Sequence, residues 1–271
     1  MNGKPFLRWV GGKGWLNQYI DELLPEYFEN YYEPFLGGGS IFFLLKSKGL
    51  LNNKAFLSDL NKDLITTYKV IQKNPEELFL LLKKQKNTEE EYYRIRCIQF
   101  DNNIEIAAQF MFLNKTSFNG IFRVNKQGTY NVPYGYRNFK KGMYDFDFLY
   151  QTSDLLKSAY LSVKDFKEIK NKIKVNDLIY FDPPYTVAHE NNGFIQYNQS
   201  IFSWNNQIQL SKLLEYANEI GTKYILSNAY HHNILELYNK HGKQYKISRA
   251  STIGGVGAKR QKYNEIIISN I

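Results

Sequence analysis

A chain of 271 residues with 43% hydrophobic side chains is long enough to bury a sizeable core, as one large domain or one domain carrying an insertion. A single cysteine, Cys97, excludes an internal disulfide and a cysteine-based metal cluster. With no signal-type apolar region at the N-terminus and no run approaching 18 uncharged apolar residues, this predicts a soluble, cytoplasmic protein without a membrane partner. The net charge of +9 and pI near 9.2 favour a polyanionic partner, because lysine and arginine release condensed counterions from phosphates.

Along the chain, Tyr31 to Leu36, the glycines 37–39 with Ser40, and the apolar Ile41 to Leu45 read as strand, glycine turn and helix, the opening of a βα unit. A second strand, Ala55 to Ser58, ends at Asp59. Leu64, Ile65, Tyr68 and Ile71 then carry helical spacing through Leu60 to Gln72. From Pro75 to about Asn114 the pattern is helical, with Pro75-Glu76-Glu77 at a helix start. Between Phe110 and Lys141 there are six basic residues and no acid, and Gly120, Gly128, Pro133 and Gly135 interrupt regular structure. That stretch reads as a basic loop or hairpin inserted in the fold. Strand signals return at Tyr160 to Val163, Asp177 to Asp182 and Lys223 to Asn228, with a helix over Asn206 to Ile220. Gln244 to Arg249 and Tyr263 to Asn270, joined through a glycine-rich loop near Gly254, Gly255 and Gly257, suit an antiparallel closing pair.

Glycines straight after a strand let the backbone approach a ligand at a helix N-terminus, and an acid some twenty residues on, here Asp59, can bind ribose hydroxyls; three adjacent glycines also make a plain tight turn. Asp182-Pro183-Pro184-Tyr185 follows the apolar Leu178 to Phe181. It places a carboxylate, a proline carbonyl and an aromatic ring at the carboxyl end of a buried strand, where open α/β sheets bind ligands. An aromatic amino group is a poor nucleophile because its lone pair is delocalised into the ring. Two acceptors on its hydrogens, such as Asp182 and the Pro183 carbonyl, favour a pyramidal nitrogen and stabilise the charge developing on it, while Tyr185 can stack on the base. A proline-proline turn ending a strand is the bland alternative. His231 and His232 lack companions at ligand spacing, so no metal is expected.

Four blocks carry a specific resemblance: Phe6 to Lys13 (FLRWVGGK), Glu33 to Ser40 (EPFLGGGS), Ser58-Asp59-Leu60-Asn61, and Asp182 to Tyr185. In this order and spacing the chain resembles the Dam family of DNA adenine-N6 methyltransferases, of class alpha, over essentially its whole length. The resemblance implies an α/β fold: a Rossmann-like seven-stranded class I methyltransferase sheet made from residues 1–61 and 161–271, with a mainly helical target-recognition domain inserted at 62–160 and a hairpin near 117–135. It implies S-adenosylmethionine as cofactor, contacted by Trp9, Lys13, Phe35, Gly37, Gly39, Asp59, Asp165, Phe166 and Asp182, and catalysis by Asp182, Pro183, Pro184 and Tyr185.

For double-stranded DNA, the resemblance implies that Phe118 is the wedge inserted into the opened duplex, with Asn119 beside it. Arg123 would read a guanine edge through O6 and N7, and Pro133 would lie near the outer base pair. Arg8 stands where familiar members carry a lysine that contacts the first guanine, a change that keeps charge and alters geometry. GATC is the implied site. The wedge is often tyrosine in relatives and is phenylalanine here. Lys240 to Lys262 adds seven basic residues for phosphate contacts or a solvated face. Cytosine-N4 methyltransferases present the competing chemistry, but their active-site block usually begins with serine, against Asp182. A monomer, cytoplasmic and nucleoid-associated, is the implied state.

Overall fold

The computed structural model describes residues 3–125, 128–140, 142–186, 202–250 and 262–271. The glycine-rich loop near Gly254, as well as Lys126 and Lys141 of the basic stretch, lies outside these residues. Seven strands form one sheet in the order β3-β2-β1-β4-β5-β7-β6: β1 Tyr31–Glu33, β2 Ala55–Asp59, β3 Ala159–Val163, β4 Leu178–Phe181, β5 Lys223–Ala229, β6 Lys243–Ala250 and β7 Lys262–Ser269. Strands β1 to β5 run parallel where their pairing is defined, β4 on β1 and on β5 and β3 on β2, and β7 is antiparallel to β5 and β6. This is the seven-stranded α/β sheet expected from the sequence, with the antiparallel closing pair in place.

The chain divides into two compact units, one of Met1–Gln18 with Leu36–Lys164 and one of Tyr19–Phe35 with Asp165–Ile271. The first holds β2, β3 and most of the helices: α2 Ser40–Ser47, α3 Lys62–Lys73, α4 Pro75–Lys84, α5 Glu89–Cys97, α6 Asn103–Thr116 and α7 Phe146–Leu156. In α3 the side chain of Asn61 caps the Leu64 N–H at 3.0 Å. Leu64, Ile65, Tyr68 and Ile71 are fully buried, as their spacing requires, and each such Leu or Ile contributes about 1.5–3 kcal/mol. Helix α4 starts on Pro75 with Glu76 and Glu77 in its first turn, where they face the positive end of the helix dipole.

Two readings of Phe110 to Asn114 overlap, helix and basic loop, and the helix holds. Phe110 to Thr116 is helix, the last half of α6, and irregular backbone begins only at Ser117. Phe110, Met111, Phe112 and Leu113 are all buried, so apolar packing on several sides overrides the loop-like composition downstream. Helix α7, which no motif marks, is started by Asp145 capping the Phe148 N–H.

The second unit carries α1 Ile20–Leu23, β1, β4 to β7, α8 Trp204–Glu219 and α9 His232–Leu237. All four residues of β4 are buried, as a parallel strand covered on both faces demands. Strand order reverses between β1 and β4, so Phe35 and Asp182 leave the carboxyl ends of two neighbouring parallel strands at the topological switch point.

Candidate active site and nucleic-acid interface

In the first unit the glycine turn is built by its contacts. The Leu36 N–H donates to the Ser58 carbonyl at 3.0 Å, and the Gly39 N–H to the Leu36 carbonyl at 2.7 Å. Gly37 and Gly39 adopt φ of 46° and 66°, conformations that favour glycine. A Cβ at Gly37 would come within 2.6 Å of Trp9 Nε1, and one at Gly39 within 2.7 Å of the Tyr68 hydroxyl. The two Asp59 oxygens accept from the N–H groups of Gly37 and Asn61, each at 2.9 Å. Burial raises the Asp59 carboxyl pKa, and these backbone donors oppose the rise. The structure thus brings Trp9, Gly37 and Asp59 together. Among the described residues no side chain caps the amino end of α2. Lys13 is only 2% exposed, with Nζ donating to the Gly11 carbonyl at 3.1 Å, so it is not the solvated charge its sequence context suggests.

The hairpin after α6 opens with a bridge between Ser117 and Tyr134 and continues with one between Val124 and Tyr130. The Phe118 N–H donates to the carbonyl of exposed Pro133 at 2.9 Å. Beneath it lies a small core of Tyr92, Ile95, Phe112, Leu113 and Tyr134, and the Tyr92 hydroxyl holds the Val132 carbonyl at 2.8 Å. Just after its opening bridge Phe118 keeps half its surface in solvent and Asn119 adopts a left-handed φ of 55°. The Arg123 Nε and Nη2 donate to Asn131, at 2.8 Å to its side-chain oxygen and 3.3 Å to its carbonyl, which orients an exposed guanidinium. Arg8 is exposed as well. Lys115, which sequence reading noted only as one of several basic residues, sits half-buried over the rings of Phe139 and Tyr144; burial, then the charge of Arg8, lower its pKa.

In the second unit Asp182 is half-buried, Pro183 is buried, and Pro184 and Tyr185 are partly exposed. Thr186, next in sequence, is buried and donates its hydroxyl to the Phe202 carbonyl at 3.0 Å. The Gln207 amide donates to Thr186 Oγ1 at 3.0 Å and accepts from Tyr238 and Asn228 at 2.7 and 3.2 Å. This buried network braces the end of the acid-proline-proline-tyrosine segment, and the sequence reading missed it. Its signal was a glutamine in register with Leu210 and Leu214 on the apolar stripe of α8.

Phe35 stacks on Phe166 at 5.3 Å and meets Phe202 edge-on at 5.4 Å. Asp165 caps the short helix Phe166–Ile169 in a reciprocal capping box with Glu168, a structural duty beside its expected place near the cofactor. His231 also acts as a cap, its Nδ1 accepting from the Asn233 N–H at 3.3 Å. Among the described residues no group of three or more His, Cys, Asp or Glu side chains could hold a metal ion.

A seven-stranded sheet with an antiparallel closing strand carries the glycine turn after β1 and the acid-proline-proline-aromatic segment after β4. The family model of the D12 class N6 adenine-specific DNA methyltransferases matches residues 9–253, and the chain belongs to that family. It is an adenine-specific DNA methyltransferase acting on DNA with a methyl donor. It is 34% identical over 281 residues to the type II methyltransferase M1.LlaDCHI of Lactococcus lactis subsp. cremoris, covering 100% of this chain and 96% of that protein. It is 37% identical over 252 residues to the type II methyltransferase M.MjaIII of Methanocaldococcus jannaschii, covering 85% and 86%. To the DNA adenine methylase of Vibrio cholerae it is 30% identical over 272 residues, covering 97% and 95%, so the Dam resemblance holds. Among the described residues no helix is long and apolar enough to cross a membrane.

Proposed function

We propose that the enzyme transfers a methyl group from S-adenosylmethionine to N6 of an adenine in double-stranded DNA, within GATC, after rotating that adenine out of the duplex. The observation that carries this reading is Asp182-Pro183-Pro184-Tyr185 at the switch point, directly after a strand buried on both faces. The residues fit the cofactor. The Gly37–Gly39 turn passes so close to Trp9 and the Tyr68 hydroxyl that only glycine fits, Asp59 presents a carboxylate beside it, and Phe35 and Phe166 are stacked aromatic rings. We assign Trp9, Lys13, Gly37, Gly39 and Asp59 to its amino-acid and ribose parts, Phe35, Asp165 and Phe166 to its adenine, and Asp182 to both cofactor and target base.

The cofactor supplies an electrophilic methyl on a sulfonium. Asp182 and the Pro183 carbonyl each accept one hydrogen of the adenine N6 amino group, which draws its lone pair out of the ring and aims it for in-line attack. Pro184 fixes the backbone that follows, and Tyr185 stacks on the flipped base. Asp182, which already accepts that hydrogen, takes up the N6 proton lost as the methyl group is given up and a neutral thioether departs, and passes it on to solvent. In the hairpin, Phe118 fills the space vacated by the base with Asn119 beside it. Arg123 and Arg8 read guanine edges, Pro133 borders the outer pair, and Lys115 beside Arg8 adds positive charge for a phosphate. Recognition is assigned to residues 62–160 and catalysis to 1–61 and 161–271, in a monomer working in the cytoplasm on the nucleoid.

Asp182→Ala tests this directly. Methyl transfer is expected to fall by roughly a hundred- to thousandfold, with duplex binding kept within about threefold. Methylation at the wild-type rate would remove Asp182 from the mechanism.

A further inference from the structure

We infer that Asn114 is a positioning residue for base discrimination: its buried side chain fixes the presentation of Arg8 to DNA and registers Arg8 against the recognition hairpin. The inference rests on the reading of Arg8 as a base contact.

Asn114 lies near the end of α6 and is 2% exposed. Its amide makes a two-point clamp on the Arg8 backbone. The Arg8 N–H donates to Asn114 Oδ1 at 3.0 Å, and Asn114 Nδ2 donates to the Arg8 carbonyl at 2.8 Å. The same Nδ2 donates to the Gly120 carbonyl at 3.2 Å. One side chain therefore joins the N-terminal segment to the turn that carries Phe118 and Asn119. No aliphatic or acidic residue can make this set, since it needs one acceptor and two donors on a single planar group.

Gly120 completes the joint from the other side. Its φ is 65°, and a Cβ there would lie 2.6 Å from Arg8 Cδ and 2.9 Å from Arg8 Cβ, so the arginine stem runs directly over the glycine. The next residue, Trp9, stacks on Phe122 at 5.6 Å and on Phe110 at 6.5 Å, which are further contacts to the hairpin and to α6. A peptide gripped at its backbone, stem and neighbouring ring leaves only the guanidinium free to adjust.

Electrostatics argue that the grip serves a ligand. It holds Arg8 close enough to half-buried Lys115 for the two cations to disfavour each other, an arrangement that an anionic or electron-rich partner relieves. Fixing a long flexible side chain in advance also lowers the entropy lost on binding, which sharpens discrimination more than it raises affinity.

The test is one methylation reaction on a pool of duplexes containing the wild-type target and every single-base alteration of it, read by sequencing. The enzymes compared are wild type, Arg8→Ala, Asn114→Ala and Asn114→Asp. Ratios between duplexes in one tube do not depend on how much enzyme is folded. Both Asn114 variants are expected to lose about tenfold in discrimination at the same position that Arg8→Ala relaxes, with the other positions within about twofold. A uniform loss over all duplexes, or relaxation at a different position, overturns the inference and leaves Arg8 as a base reader. If Arg8→Ala changes no position, the reading of Arg8 itself fails, and this inference with it. Should the Asn114 variants not fold, Gly120→Ala perturbs the same contact from the hairpin, and it must relax the Arg8 position for the inference to stand.

Discussion

Tyr180, the third residue of β4, carries a buried hydroxyl with no hydrogen-bond partner among the described residues, two residues before Asp182. Burial, then the charges of Asp182, Glu33, Tyr185 and Glu265, push its pKa well above the ordinary value, so it is a neutral phenol at any working pH. An unsatisfied buried hydroxyl costs about 1–3 kcal/mol. Tyr180→Phe is therefore expected to raise stability by about 1 kcal/mol, roughly 2–4 °C in a thermal melt, with the methylation rate kept within about threefold. A fall in melting temperature would show that the hydroxyl has a partner after all. The residue scale also separates what motifs reveal from what they hide. Asp182 and Asp59 declare themselves because each sits at the carboxyl end of an apolar strand. Asn114 and Gln207 do not, because a buried amide on a helix looks like any polar residue until its partners, distant in sequence, are known.

The proposed cofactor role of the turn between β1 and α2 is tested at Gly37. Gly37→Ala forces a Cβ into the Trp9 indole and imposes a positive φ on a residue that disfavours it, at about 1–3 kcal/mol. The KM for S-adenosylmethionine is expected to rise about tenfold. Gly14→Ala, where a Cβ meets nothing within 4 Å and φ is not positive, should leave it unchanged. Equal KM values for the two variants would dissociate the turn from the cofactor. Most elements were legible in the sequence because period and punctuation agree in them: α3 with its Asn61 cap, α4 with Pro75, and β4 with its apolar run. Two were not. The end of α6 is basic and adjoins a glycine-rich hairpin, so composition pointed to a loop, while burial of Phe110 to Leu113 keeps it helical. Helix α7 carries no motif, and only its Asp145 cap announces it.

At the scale of the whole molecule, the family resemblance implies a seven-stranded sheet but no strand order is read from the sequence, since nothing in a strand's own residues states which neighbours it will pair with. The net charge of +9 pointed to a polyanion but not to a base. In the proposed reading, the hairpin after α6 and the acid-proline-proline-tyrosine segment turn that charge into a reaction on adenine. The most direct measurement is to incubate the purified enzyme with S-adenosylmethionine and unmethylated plasmid and sequence the product for modified bases and their context. N6-methyladenine confined to GATC is the expected result. N6-methyladenine in another context would keep the mechanism and discard the proposed roles of Arg8 and Arg123, whereas N4-methylcytosine, or no modified base from an enzyme that binds the cofactor, would contradict the central claim.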